Sequence, residues 1–190
     1  NIGNCQDCPL AKDMDGSTRF HRFRYHIGRG FVKAGDRVLD IGSGKGYGAE
    51  MMSDVASTVT GIELEQDEVD LANKVRGKFN LKFIQGNIET MELPECDVCT
   101  AFEIIEHLYN PKEVVDKLKA VTKTFIVYSV PIGGRFVDST RDVEGDPTHH
   151  SIFLRGDDIM DLFVDSTWKE FVRYQSGEAF IGVVYNNDNI

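Results

Sequence analysis

The most constraining stretch of the chain is Val38-Leu39-Asp40-Ile41-Gly42-Ser43-Gly44-Lys45-Gly46-Tyr47-Gly48. Residues 38–41 form a short apolar run with β-branched members, the pattern of a buried strand. Glycines then stand at 42, 44, 46 and 48. A residue without a Cβ reaches positive φ and lets a ligand come close to the backbone. Good helix formers resume at Ala49-Glu50-Met51-Met52. Strand, glycine turn and helix in that order open an α/β unit whose turn can receive a nucleotide-like ligand.

The residues around the turn narrow the ligand. A phosphate-binding loop needs Gly at the position of Leu39 and Ser or Thr at that of Gly46, so that reading fails. The dinucleotide pattern fits Gly44-Lys45-Gly46-Tyr47-Gly48-Ala49 only if it begins two residues after the first glycine. Asp40, at the strand's end, would repel a pyrophosphate and suits a cationic ligand. The pattern resembles the first motif of the class I S-adenosylmethionine-dependent methyltransferases, whose cofactor carries an amino group and a sulfonium. The resemblance implies a cofactor pocket containing Asp40, Gly42, Ser43, Gly44, Gly46, Glu63, Leu64, Asn87, Ile88 and Phe102. Glu63 stands 21 residues after Gly42, where a carboxylate can accept ribose hydroxyls. The Asn87 amide can pair with an adenine edge, in place of the family's usual Asp, and Ile88 can pack on its face.

The periodicity predicts a helix over 18–32, strands over 37–41, 58–63, 81–85, 97–102 and 124–130, and helices over 46–54 and 66–78. A helix starts at Asn110-Pro111, with Asn as cap and Pro at the first position. A further helix covers 155–164, and strands over 168–175 and 179–185 form a hairpin. Residues 1–17 read as an irregular arm and 18–190 as one domain. With the resemblance, this is an α/β, Rossmann-like, doubly wound and mostly parallel seven-stranded sheet ending in an antiparallel hairpin. The polar stretch 131–150 is long enough for a functional loop, and a lid over the acceptor is the expectation.

Phe102-Glu103-Ile104-Ile105-Glu106-His107-Leu108 is the second chemical stretch. A helical turn there would place Glu103, Glu106 and His107 on one face. The element resembles one shared by ubiquinone-type O-methyltransferases, small-RNA 3′-end 2′-O-methyltransferases and bacterial methyltransferases encoded among glycan-assembly genes. A later His completes it, and here His149 stands four residues before Phe153. The resemblance implies a divalent cation (Mg, Mn, Zn or Fe) on Glu103, Glu106, His107 and His149, with His150 as an alternative ligand. Metal-free acid–base work by His107 stays open beside it, with Glu103 and His149 as further catalytic candidates. The function implied is O-methylation of a small hydroxylated molecule, a sugar or a catechol-like ring.

The 190 residues carry a formal charge of -10, which disfavours nucleic acid as partner. Arg19, His21, Arg22, Arg24, His26 and Arg29 keep an RNA acceptor as the rival reading, and a non-catalytic cofactor-binding subunit is another. No apolar run suits a membrane span, and a cytoplasmic protein with reduced thiols is expected. Zinc on Cys5, Cys8, Cys96 and Cys99 is the minor reading, because residues three apart on a strand face opposite sides.

Overall fold

The computed structural model describes residues 16–132, 155–176 and 179–189. Residues 1–15 of the arm, Cys5, Cys8, His149, His150 and nearly all of the proposed lid lie outside them, while Gly16 and Ser17, read as the end of the arm, already belong to the first helix. In chain order the elements are α1 (Gly16–Arg29), β1 (Arg37–Ile41), α2 (Tyr47–Ser53), β2 (Thr58–Glu63), α3 (Gln66–Arg76), β3 (Leu81–Gln85) and β4 (Cys96–Phe102). Then follow a 3₁₀ turn (Ile105–His107), α4 (Pro111–Val121), β5 (Thr122–Pro131), α5 (Gly156–Phe163), β6 (Trp168–Ser176) and β7 (Ala179–Asn186).

The seven strands form one sheet in the order β3-β2-β1-β4-β5-β7-β6. The first five are parallel. β7 pairs antiparallel with β5 and with β6, as the hairpin expectation required. Strand order reverses between β1 and β4, so the crevice at their carboxyl ends is where such a sheet takes ligands.

Alternate residues of each central strand feed opposite layers. Val38, Val59, Val98 and Val127 pack with Tyr25, Ala49, Met52, Val69 and Ala72 of α1, α2 and α3. Leu39, Ile41, Cys99, Ala101, Ile126 and Tyr128 pack with Val114, Val115 and Leu118 of α4 and with Ile159, Met160 and Phe163 of α5. Period-two patterning on a sheet covered on both faces produces this division.

Three local expectations change. Helix α1 ends at Arg29 rather than 32, because the Gly30 N–H turns back to the Ile27 carbonyl at 2.9 Å. Asn110 makes no side-chain cap for α4. Instead the Glu89 carboxylate accepts the Tyr109 and Asn110 N–H groups at 3.1 and 3.0 Å. Cys96 and Cys99 share one core layer instead of facing opposite sides. The β4–β5 register slips between Cys96 and Val98, with the extra residue on β5. Both thiols are buried and free, and the hydrogen bond with Cys96, followed by burial, raises Cys99 well above its usual range.

Candidate active site

The glycine turn is shaped from both sides. Gly42, Gly44 and Gly46 have φ of 67, 49 and 79°, conformations costly to any residue with a Cβ. The Gly42 and Ser43 N–H groups donate to the Ile62 carbonyl at 2.9 and 3.0 Å. Glu63 closes the other side. One carboxylate oxygen accepts the Gly44 N–H at 2.8 Å, and the other accepts Leu64 and Glu65 N–H at 2.7 and 3.2 Å. Glu63 therefore organises the turn as well as facing the crevice.

Beside the turn lies a cavity of about 520 Å³, within the roughly 300–1,000 Å³ of small-ligand sites. Of the residues expected to bind cofactor, Gly42, Glu63, Leu64, Asn87 and Ile88 line it, and so does His107. Ile62, Glu65, Gly86, Glu89, Ile104, Leu108 and Tyr109 join them. Sequence reasoning missed these seven, although each sits within two residues of a position it named. The lining has three carboxylates, Glu63, Glu65 and Glu89, and no lysine or arginine. Such a field favours a cation and opposes a pyrophosphate.

Asp40, Ser43, Gly44, Gly46, Phe102, Glu103 and Glu106 do not line the cavity. Asp40 is fully buried. Thr100 donates its hydroxyl to it at 2.6 Å, and the Tyr25 hydroxyl lies at 3.3 Å. Burial lifts the Asp40 carboxyl to about 7, the Thr100 and Tyr25 hydroxyls oppose the rise, and the Glu63 charge adds to it. Burial, followed by the Asp40 charge, pushes the Tyr25 phenol well above its usual range. The Phe102 ring is buried edge-on against Tyr25, centroids 4.8 Å apart. Both residues shape the floor of the turn from inside the core.

The stretch after β4 departs from the helical expectation. Glu103 adopts φ 53°, the one left-handed non-glycine among the described residues. The 3₁₀ turn begins only at Ile105, so Glu103 does not share a helical face with Glu106 and His107. Its carboxylate is held by Arg24 at 3.3 Å and by the Ser129 hydroxyl at 2.9 Å. Arg24 was grouped with the basic residues of an RNA-binding face, yet it is buried. Glu106 is 2% exposed with one carboxylate oxygen unbonded. Burial, then the Glu103 charge, raises its pKa well above the ordinary range. His107 Nε2 lies 3.9 Å from its other oxygen, beyond hydrogen-bond range.

Among the described residues no three His, Cys, Asp or Glu side chains stand together as a metal site. The donor chemistry gives the reason. Glu103 is already paired with a guanidinium, and burial opposes the ionised form of Glu106 that a metal ligand must adopt. These residues do not fit the expected divalent cation.

Comparison with known proteins agrees with the glycine turn. Residues 39–124 match the family model described as a methyltransferase domain. A probable S-adenosylmethionine-dependent methyltransferase of Mycolicibacterium smegmatis is 35% identical over 120 residues, 61% of this chain and 46% of that protein. The ubiquinone biosynthesis O-methyltransferase of Haemophilus ducreyi is 28% identical over 111 residues, 54% of this chain and 47% of that one. The chain thus spans about half the length of these relatives. Among solved structures, the N-methyltransferase NodS of Bradyrhizobium japonicum, in complex with S-adenosyl-L-homocysteine, superposes with a TM-score of 0.71 at 14% identity. The match covers 95% of this chain and 92% of that one. A putative methyltransferase from a Haloferax volcanii complex with the Trm112 methyltransferase activator gives 0.74 at 14% identity, over 93% and 96% of the two chains. At that identity the likeness is one of fold. Residues 39–124 are thus similar to a methyltransferase domain, and the chain to S-adenosylmethionine-dependent methyltransferases.

Proposed function

We propose that the chain transfers a methyl group from S-adenosylmethionine to a hydroxyl of a small molecule, a sugar or a catechol-like ring. The observation that carries this is the single cavity shared by Glu63, Asn87 and Ile88 with His107. The first three suit ribose and adenine; His107 supplies a base at the end of β4. The acidic lining fits a cationic cofactor, and left-handed Gly42 gives it a close seat. When bound, the cofactor supplies a methyl group already activated on a sulfonium.

The chain's own task is to hold the acceptor oxygen in line, exclude water and take its proton. His107 receives that proton as the oxygen–methyl bond forms and the carbon–sulfur bond breaks. Ile104, Leu108 and Tyr109 give an acceptor ring apolar surface beside it. The Asn87 oxygen already accepts the Glu89 N–H at 2.9 Å, so its NH₂ group is the donor for an acceptor nitrogen of adenine. The O-methyltransferase relatives favour oxygen as the acceptor atom. The chain's acidity, and the burial of Arg24, weigh against RNA.

Calorimetry should detect S-adenosylhomocysteine, and Glu63→Ala should weaken it at least tenfold by freeing the Gly44, Leu64 and Glu65 N–H groups. Labelled methyl transfer to a panel of sugars and catechols should then fall sharply in His107→Ala with cofactor affinity kept. Failure to bind S-adenosylhomocysteine would end the cofactor reading. Binding without transfer to any acceptor, RNA included, would leave a cofactor-binding subunit.

A further inference from the structure

We infer that Lys117, on α4 and outside the cavity, is a positioning residue for the adenine end of the cofactor. The inference rests on the cofactor reading above. The Lys117 ammonium donates to the backbone carbonyls of Ile88, Glu89 and Met91 at 2.7, 3.3 and 2.7 Å. An ammonium has three N–H groups, and all three are spent on one turn of chain. That turn carries Asn87, Ile88 and Glu89, which line the cavity. Inside the turn, the Asn87 carbonyl accepts the Thr90 and Met91 N–H groups at 3.1 and 2.9 Å. The Glu89 carboxylate ties it to the backbone of Tyr109 and Asn110.

Lys117 thus fastens the turn from behind. With three carbonyls gathered on the ammonium, the turn offers its side chains, not its carbonyls, to the cavity. Removing the charge leaves three converging carbonyls with nothing between them. They must separate and find water, and the turn moves with them. Arginine is a poor substitute, because its planar fork does not place three donors around one point.

The test is ligand binding by the folded parent and by Lys117→Met, using S-adenosylhomocysteine and 5′-methylthioadenosine. Both ligands carry adenine, but only the first carries the amino-acid end. The expected result is an equal loss of on the order of tenfold for both ligands. Turnover at saturating S-adenosylmethionine should change less than about twofold while KM rises, the mark of lost uniform binding. A Lys117→Cys variant aminoethylated with bromoethylamine regains an ammonium at nearly the same reach, and should recover affinity over a parent treated alike. If Lys117→Met does not fold, Lys117→Arg takes its place with a smaller loss expected. Parent-like affinity in whichever variant folds overturns the inference, as does a loss confined to S-adenosylhomocysteine. A parent that binds neither ligand instead overturns the cofactor reading on which the inference stands.

Discussion

Asp40 shows how far a single side chain can differ from the role its position suggests. It was expected to meet the cofactor directly, and it is instead a fully buried carboxyl with a pKa of about 7. An unfolded chain releases that proton near pH 3.9. Between about pH 4 and 7 the folded state therefore holds a proton that the unfolded state has lost. Stability falls as pH rises through that window and levels off above it. The total is on the order of 4 kcal/mol. In the cofactor-free protein, Asp40→Asn removes this dependence and should raise the melting temperature more at pH 8 than at pH 5. A difference independent of pH would refute the assignment. Glu103 offers a second residue-scale test. Its φ of 53° costs roughly 1–2 kcal/mol in a residue with a Cβ. Glu103→Ala and Glu103→Gly both lose the Arg24 and Ser129 contacts, so both should be destabilised. Glycine should lose about 1 kcal/mol less, read by urea unfolding. Equal losses would mean that the left-handed conformation stores no strain.

At the scale of elements, the sequence was legible wherever local chemistry decides. Short apolar, β-branched runs such as 38–41 located buried strands, and the glycines marked the turn. It was illegible wherever distant groups decide. Arg24 and Tyr25 are adjacent on α1, yet they hold Glu103 and Asp40 at the ends of two strands. Nothing in the helix pattern announces either contact. Lys117 reads as an ordinary helical lysine until the turn 88–91 is placed behind it. The register slip beside Cys96 depends on pairing with β5, which no local pattern encodes. The turn itself has little room for change. A Cβ on Gly46 would come 2.3 Å from the Phe83 ring and 3.2 Å from Ala72, at φ +79. Left-handed strain adds roughly 1–2 kcal/mol to an overpacking cost of about 1–3 kcal/mol. Gly46→Ala should lower unfolding free energy by about that sum and abolish S-adenosylhomocysteine binding. A stable variant with parent-like affinity would show that the turn tolerates a Cβ.

Across the whole molecule, the sheet puts its chemistry at the carboxyl ends of β1, β2, β3 and β4, and the helices decide which side chains remain available there. No helix among the described residues is long and apolar enough to cross a membrane. From one face α1 brings a guanidinium to Glu103, and from within the sheet β5 brings the Ser129 hydroxyl. Glu106 is drawn inward, where burial disfavours its charged form. Only His107 of the three reaches the cavity. The acids that would bind a divalent cation are thus assigned to other tasks. A cation there would have to compete with the buried Arg24 guanidinium for the Glu103 carboxylate. It would also have to deprotonate Glu106 against burial. His149, outside the described residues, could supply one ligand but cannot free these two. The expected outcome is methyl transfer to a hydroxyl acceptor that persists in excess EDTA at its untreated rate, with His107→Ala still inactive. Loss of transfer in EDTA, restored by Mg²⁺ or Mn²⁺ and accompanied by release of Arg24 from Glu103, would overturn the metal-free route and return Glu103 and Glu106 to the role of ligands.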